Sequence, residues 1–156
     1  DALEVAVESG LPVMLMHAQG DPKTMNDDPQ YSDVVLDVFD YLEGRIRDCV
    51  AAGIPKSRII ADPGIGFGMG PAHCMELIRG CRQVARGRPV LIGASRKRFL
   101  AHVYPGVDRE TASILAAAEA AAAGADILRV HDTAATLAAL EQRQPDDDDG
   151  GDAGRC

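Results

Sequence analysis

Four short apolar runs punctuate the chain: Val13–Met16, Arg58–Ala61, Val90–Gly93 and Asp126–Val130. They are continuous rather than alternating, the pattern of strands buried on both faces. A glycine precedes each by a few residues, at Gly10, Gly53, Gly87 and Gly124, where a helix would end and turn into a strand. Between the runs, apolar residues recur at three- and four-residue spacing. Asp28-Pro29 reads as an N-cap and first helical residue, and Tyr31, Val34, Val35, Val38, Phe39, Leu42, Ile46, Cys49 and Val50 then mark one helical face. Cys74, Leu77, Ile78, Cys81, Val84 and Ala85 mark a second face. An alanine-rich helix is expected from about Asp108 to Ala123, another from about Thr133 to Gln142, and residues 2–9 read as the end of a helix under way.

Strands alternating with helices imply the α/β class with a parallel sheet, either doubly wound or part of an eight-fold barrel. The strand ends favour the barrel. The first run leads into His17-Ala18-Gln19-Gly20, the second into Asp62-Pro63-Gly64, the third into Ser95-Arg96-Lys97, and the fourth, containing Arg129, into His131-Asp132. Chemically capable side chains at all four carboxyl ends are what the active face of a barrel presents, whereas an open sheet concentrates its contacts at one switch point.

Composition narrows the class. The chain has 156 residues, 46% of them hydrophobic, enough for one domain with a core. No apolar run approaches the length of a membrane span, and no basic, apolar leader opens the chain. A net charge of −8 argues against a nucleic-acid surface. The chain starts at Asp1 rather than methionine, so an earlier start of the gene product is expected. Half of the negative charge is local: residues 145–156 hold five aspartates against Arg155, and this acidic, Gly-rich tail is expected to be disordered, over residues 143–156. Cys49, Cys74 and Cys81 fall on apolar helical faces and form no C-x-x-C pair with each other or with Cys156, so they read as reduced core residues of a cytoplasmic protein.

Three stretches carry chemistry. Asp62-Pro63-Gly64-Ile65-Gly66-Phe67-Gly68-Met69-Gly70 puts a carboxylate before a loop whose glycines allow close approach of a flat ligand, with one aromatic beside it. A carboxylate can accept two parallel hydrogen bonds from a guanidine-like edge such as a pterin's. A plain glycine-rich turn is the alternative; a phosphate loop is not, since no Gly-Lys-Ser/Thr follows. Ser95-Arg96-Lys97-Arg98 places three cations at the start of a short helix through Phe99, Leu100 and Val103, which calls for an anion unless the turn is simply solvated. Arg129 and His131 share a strand face, suited to a phosphate, with an ion pair between Arg129 and Asp132 or Asp126 as the alternative. His17 alone reads as a satisfied strand-end histidine, and His73 as structural.

Together these stretches resemble a family. Leu15-Met16-His17-Ala18-Gln19-Gly20 with Pro22-Lys23-Thr24-Met25, Asp62 to Gly68, Gly93-Ala94-Ser95-Arg96-Lys97-Arg98-Phe99-Leu100, and Arg129-Val130-His131-Asp132 are similar, in order, to dihydropteroate synthase. The resemblance implies a folate-biosynthesis transferase, a (β/α)8 TIM barrel that joins 4-aminobenzoate to 7,8-dihydropterin-6-ylmethyl diphosphate, releases pyrophosphate and uses Mg2+. Residues 1–142 would be its C-terminal half, about four strands and their helices. The resemblance assigns Asp62 to the pterin edge and Lys97 to the pterin carbonyl region. It puts Met16, Gly66 and Phe67 around the ring, Ser95, Arg96 and Arg98 beside the aminobenzoate, and Arg129 and His131 on the diphosphate. Lys97, Arg129 and His131 would be catalytic.

This chain departs from the family at Met69-Gly70, where Lys-Thr is common, and at His73-Cys74, where His-Asn is common. The family's Asn loop for Mg2+ and pyrophosphate, its Ser-Thr-Arg-Pro-Gly loop, its Asp-Thr pair and its Asn-Asp pair have no counterpart, so no metal ligand is expected in this segment. Expected partners are the two small-molecule substrates, not nucleic acid or membrane, with homodimerisation left open. A pterin-binding methyltransferase and a non-catalytic half-barrel are the alternatives.

Overall fold

A computed structural model describes residues 2–142 except Pro22 and Asn26. The acidic tail and Cys156 lie outside the described residues. The elements run α1 (Ala2–Ser9), β1 (Val13–Met16), α2 (Val34–Ala51), a 3-10 turn (Lys56–Arg58), β2 (Ile59–Asp62), α3 (Pro71–Arg79), α4 (Cys81–Ala85), β3 (Leu91–Ile92), α5 (Leu100–Val103), α6 (Arg109–Ala122), β4 (Ile127–Leu128) and α7 (Thr133–Glu141). Each strand falls within or one residue beyond its apolar run. The four glycines before them adopt φ of 67°, 102°, 84° and 92°, the left-handed turn that ends a helix.

All strand pairs are parallel. β1 lies against β2 with Val13 opposite Ile59 and Met16 opposite Asp62; β3 lies against β4 with Leu91 opposite Ile127. One parallel bridge, Ala61 to Val90, joins the two ladders, with the Ala61 N–H donating to the Pro89 carbonyl at 2.9 Å. The order is therefore β1-β2-β3-β4, an α/β fold with parallel strands.

The continuous runs predict burial on both faces, and the inner strands meet that expectation; the outer ones do not. β2 and β3 are almost wholly buried, whereas β1 alternates and leaves Met14 and Met16 42% and 38% exposed, and Ile127 of β4 is 36% exposed. The reason is position: each outer strand has a neighbour on one side only among the described strands.

The helices cover the opposite side. α2 buries Val34, Val38, Leu42, Ile46 and Cys49, each worth about 1.5–3 kcal/mol relative to exposure for the larger side chains. Against it pack Cys74, Leu77 and Ile78 of α3 and Cys81, Val84 and Ala85 of α4, while Ala112, Ala116 and Ala120 of α6 extend the same core beyond α3. Small residues on α6 let it approach closely.

Two helix expectations change. α2 starts at Val34, not after Asp28-Pro29, because Asp33 caps it, accepting from the Val35 and Leu36 N–H groups at 3.0 Å, while Asp37 accepts from Ser32 N–H at 2.9 Å. The second face is split at Gly80, where any Cβ would stand 3.1 Å from the Glu76 carbonyl and from Val35 of α2. Asp108 caps α6 in the same way, and Asp132 caps α7 by accepting the Ala135 N–H.

Candidate active site

Parallel strands deliver their carboxyl ends to one face, and the polar residues meet there. Asp62 ends β2, buried at 2% exposure. Its Oδ1 accepts the Gly64 N–H at 2.8 Å, and its Oδ2 lies 3.3 Å from an Arg129 guanidinium nitrogen arriving from β4. Burial pushes the Asp62 carboxyl above the usual range, and the Gly64 amide, Arg129 and Lys97 pull it back.

The turn after Asp62 needs glycine. Gly64 has φ of +70°, and a Cβ there would fall 1.8 Å from the His17 carbonyl oxygen; at Gly68 it would fall 2.6 Å from that of Gln19. The loop after β1 thus lies directly on the loop after β2. Tyr31 fastens the two, its hydroxyl donating to the Gly68 carbonyl at 2.8 Å.

Lys97 enters from the loop after β3. Its ammonium donates to the Ile65 carbonyl and sits 4.5 Å from the Phe67 ring centroid, a cation–π contact. Burial pulls its pKa below the ordinary lysine value, Asp62 opposes the shift, and Arg129 adds to it. Across the site, Ser95 and His131 are joined: the Ser95 hydroxyl oxygen is 2.9 Å from His131 Nδ1 and accepts the His131 backbone N–H at 3.3 Å. One hydroxyl thus holds both the His131 ring and its backbone, fixing the imidazole beside Ser95.

Two cavities flank Phe67 and Lys97. One, about 280 Å3, is bounded by Gly93, Ser95, Arg129 and His131. The other, about 490 Å3, is bounded by Gly66, Met69, Arg96, Arg98, Phe99 and His102, among others. Asp62, Gly66, Phe67, Lys97, Ser95, Arg129 and His131 are therefore brought together, with Arg96 and Arg98 on the second cavity. Met16 stands opposite Asp62 in the β1–β2 register but lines neither cavity.

Arg129 pairs with Asp62, not with Asp132, which caps α7, nor with Asp126, which pairs with Arg82 at 3.4 Å. His17 is buried as expected of a strand-end histidine, but its Nδ1 has no hydrogen-bond partner, so it is not fully satisfied. It packs edge-on against Tyr41 at 4.9 Å. His73 is structural, its Nδ1 accepting the Gly70 N–H at 3.4 Å at the start of α3. Sequence reasoning missed His102. Its signal was helical spacing, three residues after Phe99 on the one-turn helix that borders the cavity.

Cys49, Cys74 and Cys81 are free and buried, and burial pushes the Cys74 thiol up to about 11, so it is an inert thiol at neutral pH. Among the described residues no group of three or more His, Cys, Asp or Glu side chains could hold a metal ion. The described site residues do not fit a Mg2+ cage. No described helix is long and apolar enough to cross a membrane.

Known proteins share this sequence pattern and this fold. The model of the pterin binding enzyme family matches residues 1–131. Dihydropteroate synthase of Haemophilus influenzae is 44% identical over 139 residues, 87% of this chain and 50% of that protein. The Escherichia coli K12 dihydropteroate synthase is 43% identical over 143 residues, 89% of this chain and 50% of its own length. Among solved structures, the Yersinia pestis dihydropteroate synthase in a sulfonamide drug complex superposes with a TM-score of 0.83 at 39% identity, covering 90% of this chain and 53% of that one. The Xanthomonas albilineans enzyme with 4-aminobenzoic acid gives 0.81 at 38%, covering 92% and 54%. The chain spans about half the length of the relatives it matches. Matched over most of its own length, the chain belongs to the pterin binding enzyme family.

Proposed function

We propose that this chain is the C-terminal half of a dihydropteroate synthase barrel, carrying part of its pterin and diphosphate contacts. The observation that carries the reading is the buried Asp62 carboxylate, fixed by the Gly64 N–H and flanked by Arg129, with Lys97 held over Phe67 nearby. A pterin's amino-pyrimidine edge offers two parallel N–H donors to such a carboxylate. Lys97 would donate to the ring carbonyl, and Phe67 would lie along the ring face. Arg129 and His131 would then meet the diphosphate, and the second cavity, with its cations, would take 4-aminobenzoate by its carboxylate.

The reaction is displacement at the methylene carbon. The aminobenzoate nitrogen forms a C–N bond, the C–O bond to the diphosphate breaks with its electron pair, and the amine loses one proton. Arg129 and the His131 ring would stabilise charge growing on the leaving group. An aromatic amine is uncharged near neutrality, so orientation rather than a strong base supplies much of the rate. Magnesium, cytoplasmic location and homodimerisation belong to the same proposal for the longer enzyme.

Pterin titration by calorimetry tests the site. Asp62→Asn should weaken 6-hydroxymethylpterin binding roughly tenfold or more, since one charged acceptor is lost. Unchanged affinity would remove Asp62 from the site, and a wild-type chain that binds no pterin at all would overturn the reading.

A further inference from the structure

Arg96 stands out on backbone grounds. Its φ is +60°, a left-handed conformation that a side chain with a Cβ rarely adopts and that surrounding contacts must hold. Those contacts come from one helix. The Arg96 N–H donates to the Ser113 hydroxyl oxygen at 2.9 Å, and the Ser113 hydroxyl donates to the Arg109 carbonyl at 2.7 Å. The Arg96 guanidinium closes on Glu110 Oε1 at 2.7 Å. Ser113 is only 6% exposed, in the second turn of α6, where a serine otherwise offers little to the helix. Its hydroxyl makes one hydrogen bond in and one out.

The next residue is Lys97, whose ammonium reaches Ile65 and Phe67 from this turn. We infer that Ser113 is a positioning residue for Lys97: it latches the strained Arg96 peptide to α6 and so aims the lysine into the site. The proposal deepens the functional reading above and rests on it for what Lys97 then does. The latch does not touch substrate. It acts through the backbone, and its removal lets residue 96 relax toward ordinary φ, rotating the peptide that starts Lys97.

Two measurements on the whole chain test this without any ligand. Amide hydrogen exchange at Arg96 and acylation of Lys97 by a water-soluble active ester both report the turn. In Ser113→Ala, Arg96 exchange and Lys97 labelling should each rise about tenfold at an unchanged melting temperature, and Ser113→Thr, which keeps the hydroxyl, should restore both. In an Arg96→Gly background, where φ is no longer strained, the Ser113→Ala effect should shrink at least severalfold. Unchanged exchange or labelling in Ser113→Ala would overturn the latch. So would a rise spread through all of α6 with a lowered melting temperature, or an equal effect in both backgrounds. Loss of pterin binding by the wild-type chain would instead count against the functional reading, since exchange and labelling are read without pterin.

Discussion

At Gly64 one hydrogen atom decides whether two loops can meet. A methyl group there would overlap the His17 carbonyl, and the residue's left-handed φ would add strain. Gly64→Ala should therefore cost about 3 kcal/mol or more, read as a lowered urea midpoint at constant slope. His17 itself carries a pH signature. Burial holds its pKa below the ordinary 6.5, so below that value the unfolded chain takes up a proton that the folded chain resists. Stability from this group is complete above about 6.5 and declines as pH falls toward the folded value. Denaturation measured between about pH 7 and about pH 5 should show that decline, and His17→Phe should remove its own share. A slope unaltered by the substitution would place the acid sensitivity elsewhere.

Element boundaries depend on which of two competing aspartates the backbone chooses. Asp33→Ala should destabilise α2 by about 1 kcal/mol, the usual worth of an N-cap, while Asp28→Ala should change little; thermal melts of the two variants decide it. Sequence pattern alone favoured Asp28-Pro29, a better-looking start, because nothing local shows that Tyr31 is diverted to Gly68. The strand positions were legible because continuous Val, Ile and Leu runs have few other uses, and the glycines before them mark the helix exits. The site's cast was legible too, since parallel strands must bring His17, Asp62, Ser95 and Arg129 toward one face. What could not be read were contacts between distant segments: Arg129 choosing Asp62 over two nearer aspartates, Gly80 dividing a helix beneath Val35, and Ser113 reaching back to Arg96.

Taken as a whole, the molecule leaves apolar side chains on its outer strands, with Met14 42%, Met16 38% and Ile127 36% exposed. On the half-barrel proposal these edges invite pairing with another strand. Size-exclusion chromatography of the purified chain should show self-association or aggregation that grows with concentration, whereas a clean monomer that also forms pteroate would sink the proposal. The joint between the two ladders has a further consequence. β1–β2 and β3–β4 touch through the Ala61–Val90 bridge, and the Asp62–Arg129 pair is a side-chain tie over the same gap. That gap is a mechanical seam running through the floor of the site. On the proposed function, a diphosphate that drew Arg129 toward itself would loosen that side-chain tie over the joint, leaving the backbone bridge to hold the floor together.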